Sequence, residues 1–146
     1  MIQNLLRQLL APAPEPLKDT DARLALAALL VRLARTDGLY AIEEVERIDR
    51  ILMTRHQLDA FAAAALRAEA EALEAEAPDT VRFTRALKAV TSPEDRGGLM
   101  QALWSVALSD GSRDPEEDRL LRMVSSLLGL TDVESAQARQ RAERSL

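Results

Sequence analysis

Two acidic clusters hold the side chains best suited to chemistry in this chain. Asp37-Gly38 is followed by Glu43-Glu44, and Asp110-Gly111 by Asp114-Pro115-Glu116-Glu117, the second set lying 73 residues after the first. Carboxylate and loop carbonyl oxygens in such an arrangement are ligands for a hard divalent cation, Ca2+, Mg2+ or Mn2+, and not for a soft one. The pattern is not an EF-hand: glycine follows the first aspartate directly, and Asp37 to Glu44 spans only eight residues, too few for that loop. The same residues also have a capping explanation. Asp114 reads as an N-cap, Pro115 as the first helical residue and Glu117 as the far end of a capping box, with acids at the positive end of the helix dipole. Ala41 stands where the second set has Asp114, which weakens the first cap. An aspartate in the last turn of the preceding helix faces the negative end of the dipole. Its occurrence twice calls for a compensating partner, either backbone amides nearby or a cation shared with the glutamates.

Little else in the composition supports catalysis. The 146 residues include no Cys and one His, which removes disulfides, thiolate nucleophiles and Cys- or His-rich metal sites. A net charge of −5, from 19 basic and 24 acidic residues, argues against a nucleic-acid binder, which would show a basic face. All the basic residues except Lys18 and Lys88 are Arg, read here as compositional bias. No uninterrupted apolar run is long enough for a membrane span. Gln3, Asn4, Arg7 and Gln8 break up the N-terminal apolar stretch, so no signal peptide is expected and the cytoplasm is the expected location. His56, near the end of a helix, would complement the dipole if protonated and reads as structural or exposed. Trp104 reads as core, Tyr40 as surface packing, and Glu69, Glu71, Glu74 and Glu76 as a solvated helix face.

Positioning the acidic clusters requires helices almost throughout. Ile2, Leu5, Leu6, Leu9 and Leu10 form one stripe of a short amphipathic N-terminal segment, expected to pack on the domain or on a second copy. A Pro-rich linker over 11–18 follows, and the globular domain runs from 19 to 146. Periodicity and stop signals predict helices over 20–36, 42–56, 60–77, 80–90, 93–109, 115–128 and 132–144. Asp59, Ser92 and Thr131 are expected N-caps, and Gly38 and Gly129 expected stops. Nothing alternates as a strand. Gly97-Gly98 inside the fifth of these helices costs about 1 kcal/mol per Gly relative to Ala; it marks either a surface position or the close approach of a neighbour.

The shift that aligns the acidic clusters also aligns Leu30-Val31 with Leu103-Trp104, Ala34 with Ala107, Ile48 with Leu121 and Ile51 with Val124. Both copies read helix, Asp-Gly, short loop, Glu-Glu, helix. The expected architecture is therefore a single all-α domain of about six to seven helices with a pseudo-twofold internal repeat, preceded by the short amphipathic helix.

The blocks Ala27 to Val31, Ala34-Arg35-Thr36-Asp37-Gly38 and Glu43-Glu44, then Arg82-Phe83-Thr84, Ser92-Pro93-Glu94-Asp95-Arg96, Leu103 to Ala107, Ser109-Asp110-Gly111, Asp114 to Glu117 and Leu127 to Asp132, follow one another in an order and spacing that resembles the TerB-like family named for tellurite resistance. The resemblance covers about residues 20–144 and is closest to the small stand-alone bacterial members. It implies an all-helical fold and nominates Asp37, Glu43, Glu44, Asp110, Glu116 and Glu117 as a divalent-metal site. The family also supplies the N-terminal domain of membrane-linked co-chaperones, but the His-Pro-Asp trigger of a J-domain is missing, since Gln57-Leu58 follows His56. The expected function is a non-enzymatic interaction or stress-response accessory module, with a protein partner or a second copy of the chain and no nucleic acid. The alternatives are a metal-dependent hydrolase built on the acidic loops and a helical scaffold without metal.

Overall fold

A computed structural model describes residues 2–10, 18–77, 79–109, 111 and 114–145. The expected linker, apart from Lys18, and Asp110 lie outside the described residues. Among the described residues there are eight helices and no strand: α1 (Ile2–Leu10), α2 (Asp19–Arg35), α3 (Ile42–His56), α4 (Ala60–Glu76), α5 (Thr80–Val90), α6 (Pro93–Ala107), α7 (Pro115–Leu127) and α8 (Asp132–Arg144).

Local chemistry sets the ends of these helices. Asp59 Oδ1 accepts from the Ala62 N–H at 2.7 Å, and Asp79 Oδ1 from the Arg82 N–H at 2.8 Å, opening α4 and α5. Thr131 and Glu134 exchange the two hydrogen bonds of a capping box at the start of α8. Ser92 departs from expectation: its hydroxyl donates to Asp95 Oδ2 at 3.0 Å, and no amide of α6 is capped by it. Pro93 starts that helix without a side-chain cap because its missing N–H removes one orphan donor. Gly38, Gly111 and Gly129 all take positive φ, where a Cβ would be strained. Gln57, at φ 55°, is the one non-glycine with positive φ among the described residues and ends α3.

The core is organised around α2. Its residues 24–34 are buried at every position except Arg32, so it has no solvated face. α3, α4, α5, α6 and α7 all pack against it. α6 is the second most enclosed helix, with Leu99, Met100, Leu103 and Val106 buried, and lies along α8. Leu30 and Leu103 are both fully buried, and so, nearly, are Ile48 and Leu121. Val31 and Trp104 differ. Val31 is fully buried, whereas Trp104 sits at the edge of the core, its Nε1 donating to Ser135 Oγ at 3.2 Å and its ring under the Arg139 guanidinium at 5.1 Å.

α1 packs on its own domain, against α4 and α5, with Leu5 and Leu9 buried. Arg82 holds its C-terminus by donating to the carbonyls of Leu9 and Leu10 at 3.4 and 3.0 Å, where the last turn has no intrahelical donors.

The α4 face read as solvated is partly an ion-pair layer. Glu74, whose side chain is 15% exposed, pairs with Arg32 at 3.4 Å and Arg35 at 3.0 Å, both from α2. Glu71 pairs with Arg67, which also meets Asp49 on α3 at 2.6 Å. Glu69 and Glu76 are exposed as expected.

No helix backbone closes on Gly97 or Gly98; a Cβ there would meet only the ends of arginine side chains, tightly at Gly97 and at ordinary contact distance at Gly98. A Cβ on Gly97 would lie 3.1 Å from Arg141 Nη2, and one on Gly98 would lie 3.4 Å from Arg55 Nη1.

Candidate functional site

The first acidic loop joins α2 to α3. Thr36 and Gly38 return hydrogen bonds to the carbonyls of Leu33 and Arg35, and the left-handed turn at Gly38 directs the chain out of the helix. Asp37 Oδ1 accepts from the Leu39 N–H at 2.9 Å, an Asx-type turn. The partner of this dipole-opposed aspartate is thus a loop amide one residue past the glycine. Ala41 then opens α3 in extended backbone, with no side-chain acceptor of its own. Glu44 reaches back, its Oε1 accepting from the Ala41 N–H at 3.1 Å. Glu44 is 0% exposed, while Glu43 is on the surface.

The second acidic loop joins α6 to α7, where Asp114 supplies the side-chain cap that Ala41 lacks. Ser109 donates its hydroxyl to the Val106 carbonyl at 2.7 Å, and Gly111 takes the left-handed turn. Asp114 Oδ1 accepts from the Glu116 N–H at 2.7 Å, and Pro115 is the first helical residue. Glu116 is exposed and paired with Arg119. Glu117 is 3% exposed. In both loops, then, the first glutamate faces solvent and the second is buried at the helix start.

The nominated residues offer only oxygen donors, which suits a hard ion. Among the described residues, no group of three or more His, Cys, Asp or Glu side chains is placed to hold a metal ion. Asp37 and Glu44 are each engaged with a backbone amide; Asp110 lies outside the described residues.

The first loop also displays apolar surface. Leu39 is 71% and Ile42 62% exposed. Tyr40 between them is half-buried, with the Arg35 guanidinium 5.0 Å from its ring centre. Its hydroxyl is buried without reaching hydrogen-bond geometry, and burial together with the Glu71 carboxylate raises its pKa. This stacking has no signal in the local residue pattern, because Arg35 and Tyr40 meet only through the turn.

His56 is partly buried at the end of α3, in keeping with a structural role. Burial, with the neighbouring Arg23 and Arg55 guanidinium groups, pushes its pKa down to about 4. It is neutral at pH 7, and its Nε2 is buried without a hydrogen-bond partner.

A family model described as tellurite resistance protein TerB matches residues 23–140. The chain belongs to the TerB family. The match begins four residues into α2 and ends within α8, so both acidic loops fall inside it and α1 outside. Among solved structures, the crystal structure of a protein of unknown function from Porphyromonas gingivalis W83 is similar. It is 18% identical with a TM-score of 0.63, covering 91% of this chain and 95% of that one. At that identity the likeness bears on the TerB-type helical fold alone. No curated protein matches the chain. Among the described residues, no helix is long and apolar enough to cross a membrane.

Proposed function

We propose that this TerB-family chain is a non-enzymatic, cytoplasmic interaction or stress-response accessory module whose first Asp-Gly loop docks a protein partner. The observation that carries this reading is the exposure of Leu39 and Ile42 on a loop whose ends are fixed. Large apolar side chains on a short, hydrogen-bonded loop offer contact area at little ordering cost. The buried Glu44 anchors the start of α3 beneath them. A photo-crosslinking residue at position 39, in the cells that make the protein, tests the proposal. It should capture one protein partner, and the adduct should disappear with Ile42→Asp. Absence of a specific adduct, or one indifferent to Ile42→Asp, would refute it.

A hard divalent cation, Ca2+, Mg2+ or Mn2+, is the proposed ligand of the acidic loops, through Asp37, Glu43 and Glu44 in the first and Asp110, Glu116 and Glu117 in the second. The all-oxygen donor set supports this assignment. Thermal unfolding in EDTA against millimolar cation tests it. At 100 times its Kd an ion stabilises by about 2.7 kcal/mol, on the order of 5–10 °C for a chain of this length. Asp110→Asn or Glu43→Gln, tested separately, should abolish the shift of its own loop. No shift with any ion would leave the carboxylates as helix caps. Phosphoester turnover by the wild type, lost in Asp110→Asn, would instead move the assignment to a metal-dependent hydrolase.

A further inference from the structure

A groove of about 430 Å³ lies between α3, α6 and the end of α8. Three arginines of α3, Arg47, Arg50 and Arg55, line it, and among the described residues no Asp or Glu does. This is unusual for a chain with net charge −5. Elsewhere Arg32, Arg35, Arg67, Arg82, Arg119 and Arg139 are ion-paired. Arg47 instead donates to Ser105 Oγ at 3.3 Å. Burial and the nearby Arg50 both disfavour its charge. Arg55 is also desolvated and is attracted by Asp95, which lines the adjacent groove. The space exists because the opposing helices present small residues. Gly98 and Ala102 of α6 and Ala142 of α8 face Ile51 across it. The result is a guanidinium rim around an apolar floor, of a volume usual for small-molecule sites.

We propose that this groove binds a small phosphorylated ligand, its phosphoryl group held by the neighbouring Arg47 and Arg50 and an apolar moiety resting on Ile51, Ala102 and Ala142. Guanidinium groups match phosphoryl oxygens as bidentate forks. Two of them, Arg47 and Arg50, one helical turn apart on α3, favour a dianion over a single carboxylate, which one fork would satisfy, while Arg55 adds positive charge at the Gly98 end of the groove. Thr54 on the same walls supplies a neutral polar group for orientation, as do the side-chain NH2 of Gln101, whose Oε1 already accepts from Arg141, and the hydroxyl lone pairs of Ser145, whose O–H donates to the Arg141 carbonyl. No lining residue belongs to either Asp-Gly loop, so the proposal stands apart from the cation and partner assignments.

Phenyl phosphate, inorganic phosphate and benzoate, titrated at constant ionic strength into the full chain and followed by calorimetry and amide NMR, provide the test. Phenyl phosphate should bind about tenfold more tightly than inorganic phosphate, because its ring buries apolar surface. Benzoate should be weaker than phenyl phosphate, and the largest amide shifts should fall at Gly98, Gln101 and Ser145. Arg50→Gln and Arg47→Gln should each weaken phenyl phosphate by about fivefold or more. Arg50 is exposed, so its variant should unfold at the wild-type temperature without ligand, separating lost binding from lost fold. Shifts no larger than those from chloride, or affinity indifferent to both variants, would overturn the proposal. So would tighter binding of a Glu-rich peptide through the same arginines, which would make the groove a protein-docking site.

Discussion

Arg32 is the only residue of α2 between positions 24 and 34 that is not buried, and replacing it tests the packing of α4 on α2. Arg32→Met keeps an unbranched apolar stem and deletes the charged head. The guanidinium donates to the Glu74 and Ala77 carbonyls at 3.3 and 3.4 Å, at the end of α4, where the Glu74 carbonyl also accepts from the Ala77 N–H. It also reaches Thr80 Oγ1 and Glu74 Oε2 at 3.4 Å and lies 5.3 Å from the Phe83 ring centre. These contacts are at the long end of the hydrogen-bond range, so about 0.5 kcal/mol is assigned to each. Glu74 keeps Arg35 at 3.0 Å, so its charge is not orphaned and the full cost of breaking a buried pair does not arise. The expected loss is about 2 kcal/mol, or roughly 4–8 °C in Tm. Adding Arg35→Met leaves the Glu74 carboxylate unpaired, and the double variant should lose about 1 kcal/mol more than the two single losses combined. Urea and thermal unfolding of the four proteins measure this directly. A single loss below about 0.5 kcal/mol, or strict additivity, would refute an Arg–Glu layer that closes α4 onto α2.

Three further expectations concern stability. His56 has a folded-state pKa of about 4, below its usual value of 6.5, so the unfolded chain binds its proton first as pH falls. Its contribution is complete above about pH 6.5 and lost progressively down to about pH 4, and unfolding of His56→Gln should show a shallower decline over that window; identical profiles would show that the imidazole is not desolvated. Gln57→Gly, at φ 55°, should raise stability by about 0.5–1 kcal/mol through relief of left-handed strain, and a loss in urea unfolding would contradict that account. Leu5→Ala, at a fully buried position of α1, should cost about 2–3 kcal/mol. Hydrogen exchange should then show α1 opening before α2, whereas uniform loosening of all helices would contradict a docked accessory helix.

The candidate site was legible in part. Asp114, Pro115 and Thr131 announce their roles through residues within a turn, and the structure has them as helix starts. The burial of Glu44 and Glu117 could not be read from the same string, because in each pair only packing of the finished helix decides which glutamate faces inward. Likewise nothing near position 39 says that Leu39 and Ile42 remain exposed while Tyr40 is stacked on Arg35.

The helical class and the positions of the helices follow from the sequence itself. Caps, prolines, stop glycines and apolar periodicity act over three or four residues, so helices were placed to within about two residues of their observed ends. The tertiary structure alone decided what surrounds each helix. The α4 glutamates look solvated until α2 brings Arg32 and Arg35 to Glu74 across 42 and 39 residues of chain. Gly97 looks poorly chosen until the Arg141 guanidinium lies 3.1 Å from where its Cβ would stand. His56 looks ionisable until burial in the packed domain, with Arg23 and Arg55 nearby, disfavours its charge. The arginines read as composition become a cationic groove only when α6 and α8 supply its small-residue floor. Local hydrogen bonding specifies a helix, but charge state, burial and cavity shape depend on neighbours remote in sequence, and these are set only when the helices pack.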